Sequence, residues 1–117
     1  MKIVINACFG GFGLSHLAQK IIADRKGIEI KFTEFATKKE MQLEDIKEGM
    51  IVFSNLPKPS RTDPDLIDVV ELLGDAVNTS CSLLKVVEIP DDVNWVIEEY
   101  DGREWISEKH GMWGGQG

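Results

Sequence analysis

Lys2-Ile3-Val4-Ile5-Asn6-Ala7-Cys8-Phe9-Gly10-Gly11-Phe12-Gly13-Leu14-Ser15 runs from a short apolar stretch into three glycines interleaved with two phenylalanines. Lys2–Ala7 is rich in β-branched residues and bounded by glycines, the pattern of a central strand. Ser15 stands where a helix N-cap belongs. Behind it Leu14, Leu17, Ala18, Ile21 and Ile22 fall at helical spacing, Lys20, Asp24, Arg25 and Lys26 take the opposite face, and Gly27 is the stop. Ile28–Phe32 alternates apolar and polar residues as a second strand does. Strand, glycine loop, helix and strand make a βαβ unit if the two strands lie parallel.

The pattern continues outward from that start. Thr37-Lys38-Lys39-Glu40 matches a capping box, with Leu43 and Ile46 behind it and Gly49 as a stop, so a short helix is expected there. Met50–Ser54 reads as a strand and Asn55–Thr62, with two prolines, as an irregular loop. Asp63-Pro64-Asp65 opens a second main helix: Asp63 is the cap, Pro64 the first helical residue, and Asp65 suits the positive end of the dipole. Leu66, Val69, Val70, Leu73 and Val77 are its apolar stripe. Leu83–Ile89 is a strand closed by Pro90.

Trp95–Tyr100 and Arg103–Lys109 flank Asp101-Gly102, a dipeptide suited to a two-residue turn with positive φ at both positions. Such a turn pairs Tyr100 with Arg103, Glu98 with Trp105 and Ile97 with Ile106. Glu98, Tyr100, Arg103 and Trp105 then share one face, and Trp95, Ile97, Glu99, Glu104 and Ile106 the other. The expected architecture is a single α+β domain over residues 1–113. It would have a mixed β-sheet of about five or six strands with two main helices on one face, a βαβ start and a C-terminal β-hairpin. Gly114–Gly117 is expected to be a disordered tail, and Trp113 to fold back onto the domain or pack on another subunit.

Size and composition narrow the function. A chain of 117 residues suits one domain and buries about two-thirds of its unfolded surface. Thirteen Lys and Arg against twenty Asp and Glu leave a net charge of −7, which speaks against a grip on duplex nucleic acid. No apolar run is long enough to span a membrane, and the start does not read as a signal peptide. The two cysteines, Cys8 and Cys81, suit free thiols in a reducing cytoplasm.

The candidate ligand-binding residues gather at the N-terminal loop: Asn6, Phe9, Gly10, Gly11, Phe12, Gly13, Ser15 and His16, with Arg61 and Tyr100. Bare backbone N–H groups beside a helix start attract anions, and neighbouring aromatic rings suit a nucleotide base. The loop has neither the G-x-G-x-x-G nor the G-x-x-x-x-G-K-[ST] spacing. Its other reading is a tight strand-to-helix turn with two core phenylalanines. Arg61 stands just ahead of a helix N-terminus, where a cation is unfavourable unless an anion lies between. It reads as a phosphate or carboxylate partner, or as a surface arginine paired with Asp63 or Asp65. His16 reads as a ligand donor or proton carrier, or as a surface residue at a helix start. Cys8 reads as a nucleophile activated by the helix dipole, or as a small buried residue. Asp91, Asp92, Glu98, Glu99, Asp101, Glu104 and Glu108 read as a metal or acid–base cluster, or as the solvated face of the hairpin.

The N-terminal loop, Arg61-Thr62-Asp63-Pro64-Asp65-Leu66, Leu84-Lys85-Val86-Val87-Glu88-Ile89-Pro90-Asp91-Asp92-Val93, Glu98-Glu99-Tyr100-Asp101-Gly102 and Glu108-Lys109-His110 together resemble a family of small proteins encoded by bacteriophages and prophages. The likeness spans both ends and the second helix, is weakest from Thr33 to Gly49, and departs after His110, where Gly111 and Met112 precede Trp113. It brings no activity with it. It implies a host bacterial cytoplasm, where small acidic phage proteins sequester nucleotide signals of host defence or block defence proteins directly. The preferred expectation is a non-enzymatic binder of a small phosphate-bearing, nucleotide-like ligand, with no cofactor and no metal. One alternative is an enzyme on a nucleotide or phosphorylated substrate with His16 or an acidic residue as base, although no nucleophile, base and orienting group come together in the sequence. The other is an acidic protein that inhibits a host protein through the hairpin. Homo-oligomerisation through the hairpin edges and the aromatic tail fits all three.

Overall fold

A computed structural model gives the protein's structure, and it describes residues 1–108. The expectations for the Gly114–Gly117 tail, for Trp113 and for Lys109 as the last strand residue lie outside them. The fold is α+β. Its strands are β1 (Lys2–Asn6), β2 (Phe32–Glu34), β3 (Glu40–Met41), β4 (Val52–Ser54), β5 (Leu84–Glu88), β6 (Trp95–Tyr100) and β7 (Arg103–Glu108), and its helices are α1 (His16–Lys26) and α2 (Pro64–Leu73).

Both helices form as their capping residues dictate. Ser15 Oγ accepts the Ala18 N–H at the start of α1, and Gly27 ends it with φ 71°, where a side chain would be strained. Asp63 accepts the N–H groups of Asp65 and Leu66 at the start of α2, with Pro64 in the first turn. Val77 of the expected stripe falls in a 3₁₀ turn, Gly74–Val77, that continues α2. Ala18 and Ile22 of α1, Leu66, Val69 and Val70 of α2, and Val77 pack against Val4 and Leu84 to make the core. β1 is covered on both faces: Ile3, Val4 and Asn6 have no exposed surface. That is what an almost unbroken apolar run demands.

The single mixed sheet does not form. The strands make three separate antiparallel sheets, β1-β5, β3-β2-β4 and β6-β7. The βαβ start is absent for the same reason. β1 takes β5 as its antiparallel partner, from Lys2 opposite Glu88 to Asn6 opposite Leu84. On its other edge the Val4 N–H is used by the Arg61 carbonyl at 2.8 Å. No edge remains for β2, which pairs instead with β3 and β4.

The helix expected after Thr37 is also replaced. Thr37 Oγ1 donates to Glu34 and accepts the Lys39 N–H, and Lys38 has φ 61°. The hydroxyl therefore closes a tight β2–β3 turn rather than capping a helix. Only a 3₁₀ turn, Leu43–Asp45, follows. The C-terminal hairpin keeps the expected register, with Tyr100 opposite Arg103, Glu98 opposite Trp105 and Ile97 opposite Ile106.

Candidate functional site

The glycine loop and the hairpin turn meet. Asp101 and Gly102 have φ 54° and 92°, the backbone of a two-residue turn. The Gly10 N–H donates to the Asp101 carbonyl at 3.1 Å. A Cβ on Gly102 would overlap Gly11 N and lie 2.7 Å from Gly10 N. A Cβ on Gly10 would lie 2.7 Å from the Cys81 carbonyl, and one on Gly13 3.2 Å from the Thr79 methyl. Gly10 and Gly102 are needed because three pieces of backbone touch there, the steric use of glycine, whereas Gly13 lies against a side chain. The hairpin tip covers the loop, and one donor of the nest is spent on it.

Asn6 ties the same junction from inside. It is fully buried. Its amide donates to the Cys8 and Gly102 carbonyls at 2.7 and 2.8 Å, and its Oδ1 accepts the Leu83 N–H at 2.8 Å. The side chain is satisfied within the chain, as a buried amide must be.

Arg61 finds a carboxylate, but neither Asp63 nor Asp65. Its Nη1 and Nη2 donate to Glu104 Oε1 and Oε2 at 2.5 and 2.8 Å, and its guanidinium lies 3.9 Å from the centroid of the Phe12 ring. Nη1 also approaches the Val4 carbonyl at 3.3 Å. Glu104 accepts the Asn6 N–H at 2.8 Å as well, and only 8% of its side chain is exposed. Burial pushes the Glu104 carboxyl up, yet the Arg61 guanidinium and the Asn6 N–H outweigh it and hold it below its ordinary value. Glu104 therefore leaves the group expected to form a solvated face. The clue is in the alternation, which sets this carboxylate on the same face as Ile97 and Ile106, where a charge needs a partner.

Asp63 is paired elsewhere. Lys26 Nζ reaches it at 2.6 Å and Asp65 at 3.2 Å. Burial raises the Asp63 pKa, but Lys26 and the two capped N–H groups lower it further.

Ser15 and His16 lie on the other side of the loop. The Ser15 hydroxyl, besides capping α1, donates to the Ala76 carbonyl at 2.7 Å. His16 packs edge-on against Phe32 with centroids 5.5 Å apart, and its Nε2 stands 3.4 Å from the Val52 carbonyl. Both residues border a cleft of about 550 Å³, which Gln19, Lys47, Met50, Asn78, Thr79 and Ser80 also line. Cys8 is half-buried and Cys81 exposed, both as free thiols. Among the described residues no three His, Cys, Asp or Glu side chains cluster to hold a metal ion. No described helix is long and apolar enough to cross a membrane.

Phe9 and Tyr100 stay at the surface. Tyr100 is 71% exposed, Phe9 54% and Trp105 44%. Tyr100, Arg103 and Trp105 share the outward face of the hairpin, and the Arg103 guanidinium stands 6.0 Å from the centroid of the Phe9 ring. Glu98 on that face bonds the Ser107 hydroxyl, while Glu99 accepts the Gly102 N–H at 2.7 Å. The structure thus divides the expected site: Asn6, Gly10, Gly11, Gly13, Phe12 and Arg61 build the junction, Ser15 and His16 border a cleft, and Phe9 and Tyr100 face solvent. Comparison with protein-family models, curated proteins and solved structures finds no match.

Proposed function

We propose that the protein acts by binding another protein through the outward face of its C-terminal hairpin, as a phage-encoded inhibitor of a host component would. The observation that carries this reading is the exposure of Tyr100 and Trp105 beside Arg103 on a braced hairpin. Tyr, Trp and Arg are the residue types that dominate binding energy at protein interfaces. The Arg61–Glu104 pair, Asn6 and the Gly10–Asp101 bond fix the hairpin on the domain. A contact surface held rigid before binding loses less entropy when it docks. Exposed Glu98, Glu99 and Asp101 and the net charge of −7 favour a partner with a basic surface.

The test is capture from a host lysate with the intact chain and two variants. A host protein retained by the native chain and by Leu72→Ala, an exposed position on α2, but lost with the Tyr100→Ala/Trp105→Ala double variant supports the reading. Capture that does not distinguish the hairpin variant, or no capture at all, rejects it.

A second reading keeps the small phosphate-bearing ligand and moves it from the glycine loop to the cleft beside His16. Its volume of about 550 Å³ falls in the range of small-molecule sites, and Lys47 offers a cation there. Calorimetric titration with cyclic and linear nucleotides tests it. Binding weakened by Lys47→Ala supports this reading, and no heat with any of them removes it.

A further inference from the structure

The hairpin turn fixes which way each main-chain group of β6 points. In a two-residue turn the flanking residues, Tyr100 and Arg103, exchange hydrogen bonds. Antiparallel pairs alternate along the ladder, so Glu98 with Trp105 and Val96 with Ser107 are bonded pairs too. Trp95, Ile97 and Glu99 therefore turn their N–H and C=O groups away from β7. Among the described residues none of these groups meets another main-chain group, and β6 has no second strand neighbour. β6 has no proline, no lysine and no bulge, its pairs with β7 running unbroken from Trp95 to Tyr100, and its guards are the charges of Glu98 and Glu99.

Such an edge accepts an extended strand, and its charges decide which one. A second β6 placed antiparallel about a two-fold axis bonds only where outward residues meet outward residues, which leaves few registers. An axis at Glu98 brings the two Glu98 carboxylates to the closest cross-strand spacing, and an axis at Glu99 sets Glu99 against itself. Both are repulsive. An axis at Val96 avoids this but leaves Glu99 beyond the partner's β6. An axis at Ile97 sets Ile97 against Ile97, Trp95 against Glu99, and Val96 against Glu98. All outward groups are then bonded and no carboxylates face each other.

We propose that two copies of the chain join through β6 in this register, antiparallel about a two-fold axis at Ile97, making one continuous four-stranded sheet. This inference rests on main-chain geometry and charge register, not on the reading of the outward face as a protein-binding surface. In the dimer Tyr100 and Trp105 of both copies lie on one side of that sheet.

Sedimentation or light scattering of the intact chain, from low to high micromolar concentration, tests it. A concentration-dependent species of twice 13.1 kDa is expected. Ile97→Pro removes an outward N–H at the axis and leaves the β6–β7 bonds in place, so it is expected to give a folded monomer. Val96 faces Glu98 of the partner copy, so Val96→Lys tightens the dimer and Val96→Glu weakens it. Each changes the constant by about tenfold, because two symmetry-related pairs act together. These two variants report on the register even if the proline variant fails to fold. A monomer at all concentrations, or Val96→Lys and Val96→Glu shifting the constant in the same direction, overturns the proposal.

Discussion

Arg61 and Glu104, forty-three positions apart, form a two-pronged ion pair at 2.5 and 2.8 Å, with 18% and 8% of their side chains exposed. The pair joins the segment ahead of α2 to β7, and Asn6 of β1 donates to the same carboxylate. One side chain thus connects the core strand, the loop and the hairpin.

Removing one partner leaves the other charge buried alone. Glu104→Ala is expected to cost about 3–5 kcal/mol, as for other broken buried pairs. The joint replacement Arg61→Met/Glu104→Leu recovers part of that loss, because no lone charge remains. Urea unfolding of the single and double variants checks both statements.

Acid should unfold the protein through the same group. The folded-state pKa of Glu104 lies below its ordinary value of 4.5, and that of Asp63 below 3.8. A depressed carboxylate contributes stability that is complete above the unfolded-state pKa and is lost as pH falls through the folded-state value. The urea midpoint is therefore expected to hold steady with respect to these groups from neutral pH down to about 5 and to fall below about 4.5. A flatter acid limb in the Arg61→Met/Glu104→Leu variant identifies Glu104 as one source.

Gly102→Ala should loosen the hairpin. Its Cβ would meet the backbone of Gly10 and Gly11, neither of which has a flexible end to move aside. A loss of about 3 kcal/mol is expected, at the upper end of ordinary single substitutions. Gly27→Ala is the control. It too has positive φ, at 71°, but open space around the new Cβ, so only the left-handed backbone cost of about 1–2 kcal/mol applies. Amide exchange is expected to show loss of protection in β6–β7 for the first variant and not for the second.

Asp63→Ala removes the α2 cap and the nearer of the two carboxylates paired with Lys26 together. The cap alone accounts for about 1 kcal/mol. Asp63→Asn keeps a capping oxygen and is expected to lose less. Thermal unfolding of the two variants separates the cap from the ion pair.

Tyr100→Ala should barely change stability, within about 1 kcal/mol, because the side chain is 71% exposed. Trp105→Ala is expected to cost more, about 1–2 kcal/mol, because more than half of Trp105 is covered. A matching unfolding midpoint for Tyr100→Ala and a cooperative transition for Trp105→Ala would make any lost partner capture a surface effect.

The local elements were legible in the sequence wherever a few neighbouring residues decide the outcome. Ser15 and Gly27 bound α1, Asp63 and Pro64 start α2, and Asp101-Gly102 sets the hairpin register, because caps and tight turns are satisfied within a few positions. Thr37-Lys38-Lys39-Glu40 shows the limit. The same hydroxyl that can cap a helix can close a β-turn, and the pairing of Phe32 with Met41 selects the turn.

Around the glycine loop the sequence pointed to places of close approach and of unpaired charge, and left their partners open. The glycine loop was readable as a place of close approach, but its visitor is Asp101-Gly102 of the same chain. Arg61 was readable as a cation seeking an anion, but that anion is Glu104. The sequence alone determined the caps, the turns and the alternating faces, since these depend on neighbours along the chain. Only the tertiary structure decided that β1 pairs with β5, that the hairpin closes over Gly10 and Gly11, and that Arg61 meets Glu104. Those choices depend on which distant segments compete for the same backbone edge and the same buried charge, and spacing along the chain does not encode that competition.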